Sequence, residues 1–148
     1  MNVTTGLTQL VYCSVATHHF DQTELLGLLA FARDFNSRNN ISGMLLYVDD
    51  SFFQVLEGDP AVLRPLYERI EKDKRHAKVI KLLDQQITER TFSEWSMGYT
   101  KVSREELASI PGLNDFFGRG SSFVELEAGK AKQLLEAFRS GQWRRRLR

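Results

Sequence analysis

The sequence predicts a mixed α+β fold, and three observations support that class. Short segments with apolar residues at alternate positions, typical of strands, alternate with two longer segments whose apolar residues recur every three or four positions. An aspartate suited to begin a helix precedes each longer segment, at Asp21 and at Asp59. The chain has 148 residues, which is the length of about one globular domain with a single core.

The first half of the chain predicts a strand, a helix and a hairpin. Leu7–Ser14 is short and apolar at alternate positions, so we expect it to form the first strand. Asp21, with Glu24 three residues later, makes a capping box for a helix that continues through "DQTELLGLLAFARDFNSR". The segments "NISGMLLYV" and "SFFQVLEG" meet at Asp49 and Asp50, which predicts a tight antiparallel hairpin without the preferred glycine.

The second half completes the element order βαββαββ. Asp59 and Pro60 predict the start of a second helix that ends near "EKDKRH", since proline fits the first helical position. The segments "KVIKLLDQQI" and "WSMGYTKV" are predicted as the fourth and fifth strands. A helical crossover makes the first two strands parallel or neighbours of a common strand, with both helices on one face. We therefore predict a ferredoxin-like fold with a mixed five-stranded sheet.

The last third of the chain has a different pattern. Ser103 and Glu106 make a capping box for a short helix, and Val124–Arg139 carries apolar residues in amphipathic order. We expect these helices to cover the sheet face that the first two helices leave bare. The predicted division is a domain over residues 1–102 and a helical extension over residues 103–148, which ends in the basic tail "RRRLR".

Composition excludes several classes of protein. The net charge of +1 gives no general case for nucleic-acid binding, and the basic tail is expected to be a solvated terminus. Cys13 is the only cysteine, so no disulfide can form within the chain. No apolar run reaches membrane-spanning length, and the N-terminus lacks the pattern of a signal peptide. We therefore expect a cytoplasmic protein without a membrane partner.

Three polar residues occupy positions that the pattern assigns to the core. Gln54 lies between Phe52 and Leu56 on one face of its strand, and the opposite face is also apolar. Asn36 falls on the apolar stripe of the first helix, and Tyr12 on the apolar face of the first strand. An amide offers the donors and the acceptor that match the polar edge of a flavin or a nucleobase. Each residue alone is better explained as a hydrogen-bonded core residue or a helix cap, but together the three favour a slot for a planar heteroaromatic ligand.

The sequence offers no other recognisable catalytic or metal site. It contains no glycine-rich phosphate loop, no GxSxG motif and no HExxH motif. His18 and His19 are interpreted as surface residues rather than metal ligands, and Cys13 as an inert packing residue. Four carboxylates near turns are interpreted as solvated caps rather than as a catalytic pair; these are Asp49, Asp50, Glu57 and Asp59.

At these positions the sequence resembles the BLUF family, the sensors of blue light using flavin. The similar segments are "LVYCS", "ARDFNSRNNISGMLLY", "FFQVLEGD", "LYERIEKDKRH" and "FSEWSMGY", which occur in family order between Leu7 and Thr100. Any one segment is a weak signal, but the ordered set is specific. The resemblance implies a ferredoxin-like sheet with a flavin held between two helices, which agrees with the predicted element order.

The resemblance also implies roles for individual residues. By position, Tyr12 is the photochemical electron donor, Gln54 the amide that rearranges, and Asn36 the residue that fixes the pyrimidine edge of the flavin. Trp95 and Met97 match relay positions near Gln54. The remaining positions implied to line the flavin are Ile41, Arg69, Arg75 and His76. Surface ion pairs explain the basic residues of this set equally well.

The function implied by the resemblance is that of a blue-light photoreceptor. We expect it to bind FAD, with FMN and riboflavin left open, and to signal through a homo-oligomer interface or a separate protein rather than as an enzyme. One alternative is an acylphosphatase-type enzyme of the same fold, which would be colourless and hydrolytic. A second is a module that binds nucleic acid or protein without flavin, and salt-sensitive binding would indicate it.

Overall fold

The computed structural model describes residues 6–48, 50–92, 98–100 and 132–134. Its elements follow one another as β1 (Leu7–Ala16), α1 (Gln22–Arg38), β2 (Ser42–Val48), β3 (Ser51–Gly58), α2 (Pro60–Lys72), β4 (His76–Ile87) and β5 (Gly98–Thr100). The predicted order βαββαββ is therefore confirmed. No helix in the described part of the chain is long and apolar enough to span a membrane.

The strands form one mixed sheet in the order β4-β1-β3-β2-β5. Strand β1 pairs antiparallel with both β3 and β4, and β2 pairs antiparallel with β3. Strand β5 pairs in parallel with β2. The first and second strands thus flank a common neighbour, β3, which is one of the two arrangements that the helical crossover allowed.

Both long helices begin where the local sequence predicts. At α1 the Asp21 carboxylate accepts a hydrogen bond from the Glu24 backbone N–H at 2.8 Å, and the Glu24 carboxylate accepts one from the Asp21 N–H at 3.4 Å. At α2 the Asp59 carboxylate accepts from the Ala61 N–H at 2.9 Å, with Pro60 at the first helical position. These contacts satisfy backbone donors that a helix start leaves without intrahelical partners.

The hairpin between β2 and β3 uses an aspartate in place of the preferred glycine. Asp50 has a φ of 59°, in the left-handed region that aspartate tolerates better than most residues. Its backbone carbonyl accepts a hydrogen bond from the Ala16 N–H at 2.7 Å, and its carboxylate accepts one from the Tyr47 hydroxyl at 2.8 Å. The turn is therefore held by contacts to β1 and β2. Asp49 lies outside the described residues.

The core occupies both faces of the sheet. On one face α1 and α2 pack through Leu25, Leu29, Leu63 and Tyr67 against a buried layer that includes Leu10, Tyr12, Leu45, Phe52 and Leu56. On the other face Val11, Cys13, Met44, Phe53 and Val55 are also buried. The prediction that C-terminal helices cover this second face falls mostly outside the described residues, of which residues 132–134 are helical and Leu134 is fully buried.

Strand β4 begins two residues before the predicted strand, at His76 rather than Lys78. His76 pairs with Ala16 of β1, and two register shifts follow along the β1–β4 pair. Lys78 has a φ of 49°, which is a conformation that an irregular strand accommodates. A local alternation pattern does not predict this irregularity.

Candidate functional site

A cavity of about 300 Å³ lies between α1 and α2 on the helix-covered face of the sheet. This volume is at the lower end of the range of roughly 300–1,000 Å³ that is typical of ligand sites. Its apolar walls are Leu28, Phe31, Ala32, Phe35, Leu45, Phe52, Leu56, Leu66 and Ile70. Its polar lining comprises Tyr12, Asn36, Gln54, Arg69, Asp73, Arg75 and His76. The three polar residues that the pattern placed in the core thus reach one cavity.

Tyr12 and Gln54 form a hydrogen-bonded pair in the wall of this cavity. They lie directly opposite each other on the antiparallel strands β1 and β3, so their side chains share one face at close range. The Tyr12 hydroxyl donates to Gln54 Oε1. Tyr12 is 2% exposed and Gln54 is 8% exposed, so the bond is shielded from water. The register of two strands, rather than a loop, therefore fixes the pair.

Burial keeps the Tyr12 phenol protonated. Removal from water raises the pKa of Tyr12 above its usual value of about 10, and the nearby Tyr67 and Asp73 raise it further. The Tyr67 ring stands edge-on to the Tyr12 ring, with centroids 5.7 Å apart. Burial also raises the pKa of Tyr67, to about 12. Tyr12 is therefore a proton donor throughout the physiological pH range.

Asn36 occupies the last turn of α1 and is 2% exposed. Its backbone carbonyl accepts hydrogen bonds from the Ile41 N–H at 2.9 Å and the Asn39 N–H at 3.2 Å, which close the helix end. The Asn39 side chain also contacts this helix end, since its Nδ2 donates to the Phe35 carbonyl at 2.8 Å. Asn36 also lines the cavity.

Two arginines lie where α2 ends and the cavity meets solvent. The Arg75 guanidinium donates to Asp73 at 2.6 Å, and this contact is the main reason why the pKa of Asp73 falls to about 2. The Arg69 guanidinium lies over the Phe35 ring, 5.1 Å from its centroid. Both arginines are exposed residues, so the cavity combines an apolar interior with a cationic rim.

His76 connects the cavity to the start of β4. Its Nδ1 is hydrogen-bonded to the Ser14 hydroxyl at 2.8 Å, and its ring lies 5.0 Å from the Phe52 ring. Burial lowers the pKa of His76, Asp73 opposes that change, and Arg75 adds to it. The neutral imidazole is therefore favoured at this wall of the cavity.

Of the remaining predicted site residues, the structure describes Ile41 but not Trp95 or Met97. Ile41 is buried at 3% exposure in the helix-side core, but it is absent from the cavity lining found among the described residues. Trp95 and Met97 lie outside the described residues. His18 and His19 pair with Glu24 and Asp50 at the surface, as expected. Among the described residues, no group of three or more histidine, cysteine, aspartate or glutamate side chains could hold a metal ion.

The interpretation of Glu57 as a solvated cap is wrong. Glu57 is 0% exposed, and its carboxylate accepts hydrogen bonds from the Gln9 side chain and from the backbone N–H groups of Thr91 and Phe92. The alternation that places Phe53 on the second sheet face continues to Glu57, so the strand pattern contained the signal for its burial. Asp73 also lines the cavity, but no sequence pattern indicates this, because its position depends on where α2 ends.

The residues of the cavity fit a flavin. Apolar side chains from two helices and the sheet suit the faces of a flat aromatic ring system, and two amides and a phenol suit its polar edge. The cationic rim suits the phosphates that a flavin nucleotide carries. The donor set therefore matches the ligand that the sequence resemblance implied.

Comparisons with known proteins agree with this fit. A family model described as "BLUF: Sensors of blue-light using FAD" matches residues 7–98. Photoactivated adenylate cyclase subunit alpha of Euglena gracilis is 34% identical over 144 residues, which are 95% of this chain but 14% of that protein. The chain thus spans a small fraction of the length of the curated relatives that it matches.

Two solved structures have the same fold. The structure named "BlsA photo-activated state" superimposes with a TM-score of 0.76 at 33% identity, covering 90% of this chain and 94% of that one. BlrB, described as a BLUF protein in its dark state, superimposes with a TM-score of 0.68 at 28% identity, covering 90% and 98%. Because the family model matches more than half of the chain, this chain belongs to the BLUF family and is a flavin-binding sensor of blue light that uses FAD.

Proposed function

We propose that the hydrogen bond between Tyr12 and Gln54 is the part of this sensor that rearranges in light. One observation carries the proposal: a buried phenol donates to a buried amide in the wall of a cavity that fits a flavin. The pair is held by strand register, so a rearrangement of the two side chains acts first on the strands that bear them. We therefore assign the chemistry to the cavity wall and the mechanical consequence to the strands that bear the pair, β3 in particular.

A bound flavin supplies a ring that, once excited by blue light, accepts an electron from a nearby phenol. Tyr12 is the proposed donor of the electron and of its hydroxyl proton, which would leave along the bond to Gln54 Oε1, and both would return to Tyr12 when the charges recombine. The Gln54 amide has a donor end and an acceptor end, so its rotation or tautomerisation changes which end faces Tyr12. Each such hydrogen bond is worth about 1 kcal/mol net, which is enough to bias two nearly equal arrangements without unfolding the domain.

The other cavity residues are assigned binding roles. We assign Asn36 to the pyrimidine edge, because its amide is buried and lines the cavity. Arg69 and Arg75 are assigned to the phosphate-bearing end, since both lie on the exposed rim. His76 is assigned to the wall beside Phe52 as a neutral imidazole. Ile41, which is buried in the helix-side core, keeps its proposed assignment as an apolar wall of the flavin ring.

The proposed output is contact with another protein. We assign residues 1–102 to the photosensor and residues 103–148 to a helical extension, with Trp95 and Met97 near the boundary as relay residues. A homo-oligomer interface or a separate partner would receive the signal. The cyclase activity in the name of the Euglena relative belongs to a protein of which this chain spans 14%, so we assign this chain no reaction of its own.

Visible absorption spectra in darkness and after blue light test the role of Gln54. We expect the wild-type protein to be yellow and to shift reversibly to longer wavelength. Gln54→Leu should keep the bound flavin and lose the shift, because leucine cannot exchange a donor end for an acceptor end. The matched control is Gln86→Leu, at an exposed glutamine of β4, and it should behave as wild type. An unaltered light response in Gln54→Leu would remove the role assigned to this amide.

A further inference from the structure

Four polar side chains cross the sheet in one row on the face opposite the cavity. They belong to neighbouring strands and are adjacent in register: Gln85 of β4, Gln9 of β1, Glu57 of β3 and Ser42 of β2. We call these four residues the polar row. Glu57 is its one charged member and is fully buried. A buried carboxylate is stable only when donors surround it, so its neighbours show which parts of the chain it joins.

The polar row converges on the Glu57 carboxylate. Gln85 Nε2 donates to Gln9 Oε1 at 2.8 Å, and Gln9 Nε2 donates to Glu57 Oε2 at 2.9 Å. The Ser42 hydroxyl donates to Glu57 Oε1 at 3.4 Å. Four strands are therefore joined through one side chain, and both of its oxygens are occupied from within the sheet.

The same carboxylate holds the chain that follows β4. The Thr91 N–H donates to Glu57 Oε2 at 3.0 Å, and the Phe92 N–H donates to Glu57 Oε1 at 2.8 Å. Arg90 completes the attachment, because its Nη1 donates to the Glu57 backbone carbonyl at 2.9 Å. Arg90 also donates to the Ser42 hydroxyl at 2.8 Å and to the Asn40 carbonyl at 2.6 Å. Residues 90–92 are thus bound to the end of β3 through both the side chain and the backbone of Glu57.

Glu57 lies three residues beyond Gln54 on the same strand. Every residue of β3 is buried, so the strand is packed on both faces along its whole length. A shift of β3 that accompanies a rearrangement at Gln54 therefore displaces Glu57 as well, because close packing leaves no room for local adjustment. The N–H groups of Thr91 and Phe92 must follow the carboxylate or lose strong, charge-assisted hydrogen bonds.

We propose that Glu57 is a positioning residue that couples β3 to residues 90–92 and so transmits the light-dependent movement of β3 to the chain beyond β4. This inference rests on the proposed role of the Tyr12–Gln54 pair. It specifies the route by which a rearrangement of that pair is transmitted from the flavin site to residues 90–92. A purely structural role would hold residues 90–92 in the same place in darkness and in light. The two roles therefore differ in what illumination does to the Thr91 and Phe92 backbone amides.

Amide resonances of the flavin-loaded wild-type protein distinguish the two roles. We expect the Thr91 and Phe92 N–H signals to move under blue light and to return with the time course of the visible absorption shift, recorded on the same sample. Unmoved signals in a protein whose absorption does shift would overturn the coupling role of Glu57 and leave the proposed function intact. A sample without any absorption shift would overturn both proposals.

Two variants sharpen the test. Glu57→Gln leaves one acceptor oxygen facing four donors, so its NH₂ group must oppose at least one of them. We expect this variant to keep the absorption shift and lose the light-induced movement of the Thr91 and Phe92 signals. Gln85→Leu is the matched control, because it removes the outer bond of the polar row and leaves the carboxylate contacts in place. The proposal would be overturned if the Thr91 and Phe92 signals move in Glu57→Gln as they do in the wild type, or if they stop moving in Gln85→Leu. If Glu57→Gln does not fold, the measurement on the wild-type protein decides alone.

Discussion

Removal of one oxygen atom from Tyr12 should abolish the light response and barely affect the fold. Tyr12→Phe keeps the ring that packs against Tyr67 and removes the hydroxyl that donates to Gln54 Oε1. One buried hydrogen bond contributes about 0.5–1.5 kcal/mol net, so the free energy of unfolding should fall by about 1 kcal/mol. For a chain of this length that corresponds to a fall in Tm of roughly 2–4 °C. Flavin affinity should fall less than about tenfold, since tenfold corresponds to about 1.4 kcal/mol.

Tyr67→Phe is the matched control for this substitution. Tyr67 is a buried tyrosine of the same core, 6% exposed, so the variant loses the same atom from a neighbouring ring. Dark and lit absorption spectra, thermal unfolding and flavin titration are measured on both variants. We expect a reversible red shift in Tyr67→Phe and none in Tyr12→Phe, although both proteins bind flavin. A normal red shift in Tyr12→Phe would refute its assignment as electron donor.

Two further predictions concern the cavity and the buried thiol and phenol groups. Ala32→Trp fills the cavity from α1 and should give a folded, colourless protein. The control Ala30→Trp, on the exposed face of α1, should stay yellow. A yellow Ala32→Trp protein would contradict the assignment of the cavity as the flavin site. Burial raises the pKa of Cys13 and of Tyr67 to about 12 and raises that of Tyr12, so the folded state holds these protons longer than the unfolded chain does. The free energy of unfolding measured in urea should therefore fall above about pH 9, by up to about 1.4 kcal/mol per pH unit for each group. The fall should be less steep in Tyr67→Phe. A free energy of unfolding that does not change with pH in this range would contradict the raised pKa values.

The features that local sequence determines were predictable. The capping box at Asp21 and the N-cap at Asp59 depend on residues within one helical turn, and both helices begin where those residues indicate. Strand alternation placed Gln54 on a buried face, and helical periodicity placed Asn36 on another. Their convergence with Tyr12 on one cavity depends on the strand order β4-β1-β3-β2-β5, which local patterns do not determine.

Features that depend on distant pairing were not predictable from local patterns. Alternation along β3 indicates a buried face for Glu57, but the donors that make burial of its carboxylate possible, Thr91 and Phe92, lie more than 30 residues later in the chain. A carboxylate next to a turn looks solvated until those partners are known. The early start of β4 at His76 likewise depends on pairing with Ala16 of β1, which no periodicity within β4 reveals.

The side-chain amide resonance of Gln54 decides whether this residue rearranges in light. Selective ¹⁵N labelling of glutamine gives the signal, and its absence from Gln54→Leu assigns it. We predict two positions for this resonance, one in darkness and one under blue light, that interconvert at the rate at which the absorption shift recovers. A resonance at the same position in both conditions, in a protein whose absorption does shift, would contradict the proposed rearrangement.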